Sequence, residues 1–420
     1  MCADDASTTA RYSAPRRGLK GRSNQIFDRF AIEITRKPTR VSGIRSRLIR
    51  LSSKPIALAT NKNQHFVPRC YLRPFTSREE DKTICLFNVD LLRAIPNASV
   101  RHQCAKSYFY GRNAKLEKAI QFVEQSYSSI SHEIRAPGHT LRARDKIVLQ
   151  RFLLLQNLRT EAASRRAVEM AACSDSVLGV EALSFRFGVH EAVQLAMRTY
   201  ADHMSAIDDL KVCLLRNRTR IPFITSDNPA VITNRWYLQD RRIVGRSFGM
   251  SASGLLALLP ITPQILCVAY DGDVYTLPNQ GGWAELRRES DVEAFNEHQF
   301  LNCFANVFVH QEEQLPLVAS SYEACARLRP TDRFRAHYAQ LAGQSEGYSR
   351  YEVISSDKID RTQEGLLHTE AIFPKPSRWP SVVQRRANGN VYTNGTGAKY
   401  VRRSWIDNYR SGRPFWRERA

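Results

Sequence analysis

A chain of 420 residues with 43% hydrophobic and 10% aromatic side chains has a globular composition, which excludes a wholly disordered or fibrous polymer. No apolar run approaches the roughly 18–20 residues of a membrane span; the longest, 254–260 and 147–155, are the size of core elements. The net charge of +21 is unevenly spread: residues 1–62 carry +10, residues 374–420 carry +9, and the 311 residues between them only +2, so any attraction to nucleic acid or membrane belongs to the ends.

Residues 1–62, rich in Arg, Ser and Thr, read as a flexible basic arm or an upstream extension of the reading frame, with a short helix over Ile26–Ile34. The acid-poor stretch from Arg36 to Lys62 resembles a transit peptide in composition, against which Asp4 and Asp5 argue. Residues 1–30 lack the apolar stretch of a secretory signal, so the expected location is cytoplasmic. From Gln64 the texture changes. His65 to Phe75 is dense in aromatics, and its two prolines exclude a regular helix interior. Thr83–Val89 reads as a strand. Lys115–Arg135 reads as a helix whose stripe is Leu116, Ala119, Ile120, Val123, Tyr127, Ile130 and Ile134, stopped by Pro137-Gly138.

A second helix is predicted over Leu141–Ser174, apolar on most sides in its middle and therefore central. A third spans Ser176–Leu210 with a break near Gly188. The period then shifts towards two. Strands are expected at Lys211–Leu215, Pro222–Thr225, Ala230–Thr233, Leu255–Leu259 and Ile265–Tyr270, the last turning at Asp271-Gly272-Asp273 into Val274-Tyr275. A further helix covers Asp291–His310, and residues 374–420 read as loop. Helices, then strands, then a helix predict an α+β fold: long central helices packed with a small, mainly antiparallel sheet and flanked by basic tails.

The nine cysteines are scattered, odd in number and never spaced as C-x-x-C, which points to buried free thiols rather than a zinc site. The chain has no G-x-x-x-x-G-K-[ST], no G-x-G-x-x-G and no H-E-x-x-H, which argues against P-loop ATPases, Rossmann oxidoreductases and zincins. One G-x-S-x-G occurs at residues 343–347. Its approach, Arg335–Ala342, reads as helix, so it is expected to be a helix-ending loop and not a nucleophile elbow.

Several segments come in a recognisable order: Gln64-His65-Phe66-Val67-Pro68 with Tyr71-Leu72-Arg73 and Phe75; Ser107-Tyr108-Phe109-Tyr110-Gly111; Leu116-Glu117 and Val123-Glu124; Phe152-Leu153 with Gln156 and Arg159-Thr160; Ile224 to Pro229; Pro260-Ile261-Thr262-Pro263; and Phe295-Asn296 to Cys303-Phe304. This order resembles a bacterial family known only as domain of unknown function 4238, over roughly residues 63–312. Around the family-like domain, composition and charge set an arm over 1–62, an extension over 313–373 and an aromatic-rich basic tail over 374–420, both tails lying outside the resemblance. It implies no activity. Cys70 stands where a larger residue is expected.

Eight residues carry the chemistry the segments suggest. His65, beside a proline-restrained segment, suits a general base or metal ligand; equally it can cap a turn. Asp227 and Asn228 end a strand, placed to bind a metal or activate water, or to form an Asx turn. Glu124 lies seven residues from Glu117 on one helical face. Gln156 and Arg159 follow an apolar run, where Arg159 can pair with a carboxylate or clamp a phosphate. Arg73 and Tyr110 add an anion ligand and a hydroxyl.

The hypothesis is one pocket for a phosphate-containing ligand, with or without a divalent metal. In it His65, Glu124 and Asp227 are catalytic, and Arg73, Tyr110, Gln156, Arg159 and Asn228 bind. A phosphodiesterase- or nuclease-like enzyme is the leading reading; a non-catalytic binding or interaction module held by a polar network is the alternative. In the tail, Trp379, Tyr392, Tyr400, Trp405, Tyr409, Phe415 and Trp416 interleave with arginines, as in a nucleic-acid contact surface. The same aromatics would also serve to dock the segment on its own domain.

Overall fold

The computed structural model describes residues 12–14, 62–76, 82–112, 114–178, 188–243, 247–345, 348–355, 358–360, 363–395, 400–409 and 413–420. The expected helix over 26–34 and the transit-like stretch lie outside them, apart from Lys62. Among the described residues the α-helices are α1 (Arg69–Leu72), α2 (Ala114–Glu133), α3 (Ala143–Leu158), α4 (Glu161–Leu178), α5 (Val189–His203), α6 (Arg235–Gln239), α7 (Glu289–Asn302) and α8 (Leu315–Cys325). None is long and apolar enough to cross a membrane.

Strands Leu256–Thr262 and Ile265–Tyr270 are buried at every residue. A strand apolar on both faces belongs inside a covered sheet. The two are antiparallel neighbours in a five-stranded sheet ordered Trp283–Leu286, Lys211–Asn217, Ile265–Tyr270, Leu256–Thr262, Val231–Thr233. The first pair runs parallel and the others antiparallel. α3 lies against Leu256–Thr262, and α7 against the two edge strands. The apolar middle of α3 is core as expected, with Leu149, Phe152, Leu153 and Leu155 fully buried. Tyr127 of α2 stacks on Phe152 at 3.6 Å between ring centroids. Along the α2 stripe Ile120, Tyr127 and Ile130 are buried, whereas Ala119 is exposed.

The fold is mixed α and β, with corrections to the expected architecture. The helix foreseen over 141–174 is two helices, because Thr160 caps the second. Its hydroxyl accepts a bond from the Ala163 N–H (3.2 Å) and donates one to Asn228 Oδ1 (2.7 Å). Instead of one small sheet there are several. Arg93–Ser99, Thr83–Asn88, Asn306–Val309 and Thr225–Ser226 form a four-stranded antiparallel sheet. The helix foreseen to His310 therefore stops at Asn302, and residues 306–309 are strand.

Another sheet is ordered Tyr12–Ala14, Tyr348–Ile354, Phe334–Ser345, Gly365–Ala371. Arg335–Ala342 is thus strand, not helix: partners on both sides override its local preference. The sheet packs on α4, where the Ser174 and Thr369 hydroxyls bond at 2.9 Å. Gly343 to Ser345 end a strand, without the strand-to-helix turn of a nucleophile elbow; residues 346 and 347 lie outside the described residues.

The segment 374–420 is a docked layer rather than a loose tail. Gln384–Arg385 pairs with Tyr275–Thr276, so the turn at 271–273 does not close a hairpin onto Ile265–Tyr270. Asn390–Thr393 pairs with Tyr400–Val401 and Trp416–Arg419. Arg402 is 2% exposed and donates to both Asp209 oxygens (2.8 and 3.0 Å). Tyr400 meets the Trp236 ring edge-on at 5.0 Å, and Trp379 meets His298 at 5.1 Å. Tyr400 and Trp379 thus pack against the chain's own core, whereas Trp416 stays exposed.

His298 is fully enclosed and its Nε2 has no hydrogen-bond partner. Burial brings its pKa from 6.5 down to about 4. The folded state then binds fewer protons than the unfolded one between those values, and stability falls as pH drops. Compared with H298F, the parent should lose about 3 kcal/mol between pH 6.5 and 4, from a shift of this size. Paired urea titrations across that range measure it, and parallel pH curves for the two proteins would disprove it.

Candidate functional site

The short strands Asn63–His65 and Ala105–Ser107 pair antiparallel and carry His65 to the flank of α3. Backbone strain surrounds this pair: Cys104 and Tyr108 adopt positive φ (53° and 51°), a region non-glycine residues rarely enter. At Gly111 (φ +80°) a Cβ would approach His190 to 3.3 Å, so the turn leading to α2 depends on glycine. Gln64, which the motif contained but the candidate set did not, rivets this corner. It accepts from the Tyr110 N–H (2.7 Å) and donates to the Gly111 carbonyl (3.0 Å).

Arg159, the residue at the end of α3, organises the centre. Its side chain is completely buried. Nε donates to the Tyr110 hydroxyl (2.8 Å), and Nη2 donates to the His65 carbonyl (2.6 Å) and to Glu124 Oε1 (2.7 Å). The Tyr110 hydroxyl donates in turn to the His65 carbonyl (3.2 Å). Gln156, one turn back on α3, donates to the Phe66 carbonyl at 3.5 Å. The structure therefore brings His65, Tyr110, Glu124, Gln156 and Arg159 together.

Around His65 and Phe66, three buried polar atoms have no hydrogen-bond partner: His65 Nε2, Gln156 Oε1 and Arg159 Nη1. Buried polar groups are nearly always paired, so each of these atoms has hydrogen-bonding capacity left over. Burial lowers the His65 pKa, helped by the Arg69 cation, against carbonyls at Val100 and Arg101 that raise it. The imidazole is accordingly neutral at pH 7. Burial and then the Glu124 carboxylate push the Cys70 thiol up to about 11, with Arg159 and Arg73 opposing. That thiol is no thiolate nucleophile. Burial likewise pushes the Tyr110 hydroxyl up to about 12.

Asp227 and Asn228 form a different junction. The Asp227 carboxylate accepts from the backbone N–H groups of Phe304 (2.7 Å), Ala305 (2.8 Å) and Asn306 (2.8 Å), gripping the chain where α7 gives way to strand. Burial pushes its pKa up to about 6 while these three donors hold it down. Asn228 takes the Thr160 hydroxyl bond and donates to the Asn302 carbonyl (2.9 Å). No hydrogen bond among the described residues joins Asp227 to the His65 group. The polar atoms of Asp227 and Asn228 bond instead to α4, α7 and the strand after it. Arg73 is exposed at the end of α1, within electrostatic reach of Cys70.

Gln194 of α5 also belongs to the corner, donating to the Tyr110 carbonyl (2.7 Å). Nothing in its helical surroundings singles it out in the sequence. Among the described residues no group of three or more His, Cys, Asp or Glu side chains is placed to hold a metal ion.

A family model described as a protein of unknown function (DUF4238) matches residues 63–313. No curated protein and no solved structure matches the chain.

Proposed function

From the premise that the chain belongs, through residues 63–313, to the DUF4238 family of proteins of unknown function, we propose that the His65–Arg159 group binds a phosphate-bearing ligand and supports hydrolysis of its ester. The observation that carries this reading is the trio of unpartnered atoms around residues 65 and 66. Arg159 Nη1 supplies a donor suited to a phosphate oxygen. Arg69 and Arg73 are exposed beside the group and act electrostatically on His65 and Cys70. His65, neutral and with a free ring nitrogen, takes a proton from an attacking water. Tyr110 and Glu124 hold Arg159 in position, and Asp227 with Asn228 hold the adjoining helices.

The test is hydrolysis of bis(p-nitrophenyl) phosphate, with calorimetric binding of inorganic phosphate alongside. H65N should lower turnover by about 10²–10⁴-fold, the usual contribution of a general base, while keeping phosphate affinity. Because the reactive form is neutral His65, activity should rise through a midpoint below pH 6.5 and stay level above it. Phosphate binding without turnover would reduce the site to a binding module. Neither binding nor turnover would overturn the proposal.

A second reading has its own support. Arg159 joins residues 65, 110 and 124, which belong to three separate segments. A keystone of this kind suffices for a non-catalytic interaction module, which predicts folding defects without any ligand effect.

A further inference from the structure

We infer that an arginine face built by α6 and the C-terminal segment binds the phosphate backbone of a nucleic acid. The inference uses none of the residues around His65. Its centre is a like-charge pair. Arg235 Nε (3.3 Å) and Arg385 Nη2 (3.1 Å) both donate to one neutral acceptor, Gln239 Oε1. Arg235 also donates to the Val383 carbonyl at 3.1 Å. Burial and then the neighbouring Arg385 cation lower the Arg235 pKa, as expected where two guanidiniums approach without an intervening carboxylate.

The row continues. Arg386 donates to the Gly272 carbonyl at 2.7 Å, and Arg419 donates to the Ala387 carbonyl at 2.8 Å, beside it. Arg417 shares the Arg419 face of the strand Trp416–Arg419. Two acids beside the row are already taken, since Arg242 binds Asp240 at 2.8 Å and Glu418 at 3.1 Å. Asp273, next to Gly272, forms no ion pair with the row among the described residues. Among the described residues none of Arg235, Arg385, Arg386, Arg417 and Arg419 forms an ion pair with a carboxylate.

Guanidinium forks held by neutral carbonyls are pre-positioned for phosphate oxygens. Trp416, 46% exposed, opens the same strand but lies on its other face, where the indole N–H donates to Glu418 Oε1 (2.9 Å), so the guanidinium row alone makes the contact. A row of forks held at fixed positions fits the regularly spaced phosphodiesters of a nucleic acid better than the mobile headgroups of a lipid surface or the flexible carboxylates of an acidic peptide.

The experiment is fluorescence anisotropy of a labelled oligouridylate with the full chain across a salt series. Two variants, R235Q/R385Q and R417Q/R419Q, are compared with R218Q/R287Q, whose arginines pair with Glu285 elsewhere. Loss of two phosphate contacts should lower the slope of log K against log salt by about 1.4, and weaken binding several-fold at low salt. W416A, on the other face of that strand, should leave binding unchanged. Residues 1–62 contribute equally to every variant and cancel. Unchanged slopes in both arginine variants would overturn the inference, as would a parent that binds anionic vesicles or polyglutamate but not the oligonucleotide. Variants at His65 should leave this binding intact, so the two proposals fail separately.

Discussion

Replacing Arg159 by methionine should destabilise the fold by about 3–5 kcal/mol, the usual cost of removing one partner of a buried ion pair. The substitution leaves the Glu124 carboxylate, 22% exposed, without its cation. It also strips the Tyr110 hydroxyl and the His65 carbonyl of their shared donor. Lysine cannot repair the loss, because one ammonium does not reproduce a fork that reaches three acceptors in different directions. A double variant, E124L with R159M, should recover part of the loss, since it removes the stranded charge along with the guanidinium. Urea denaturation of the parent, both single variants and the double variant closes the cycle. An R159M protein within about 1 kcal/mol of the parent would refute the keystone geometry, given the cost normally attached to a stranded buried charge.

Asp227 should show an effect of similar size for a different reason. Alanine there orphans three buried backbone N–H groups, those of Phe304, Ala305 and Asn306. At about 1–3 kcal/mol for each unsatisfied donor, and less than additive, D227A should cost about 3–6 kcal/mol. D227N should cost less, because it keeps one acceptor oxygen. Amide hydrogen exchange offers a local readout: residues 304–306 should lose protection in D227A before the five-stranded sheet does. Folded D227N should bind phosphate like the parent. A variant of full stability with abolished turnover would instead return Asp227 to the catalytic set.

These two residues show how much of the site was legible. Gln64-His65 and Gln156 to Thr160 stood out because ionisable or amide side chains sit directly beside rigid or apolar residues. Their grouping around Arg159 could be suspected from composition and order, but not drawn. Asp227 was equally conspicuous, but its grip on the 304–306 backbone was not foreseen. A carboxylate after a strand looks the same whether it faces a ligand or three N–H groups, and those donors lie some eighty residues further on. Gln194 gave no local sign at all, since a glutamine on a half-polar helix is ordinary.

The same division runs through the fold. Apolar periodicity alone determined that α2 forms and that Ile265–Tyr270 is a strand, because both patterns are read from neighbours along the chain. The order of motifs identified the family, and the absence of nucleotide-binding fingerprints could be read without coordinates. Tertiary structure alone decided that residues 335–342 are strand, that the described part of the basic C-terminal segment docks, and that Arg385 shares Gln239 with Arg235. Local sequence reports propensities worth tenths of a kcal/mol per residue, whereas pairing and burial across long separations are worth several times that. Where the two conflict, the distant partners prevail.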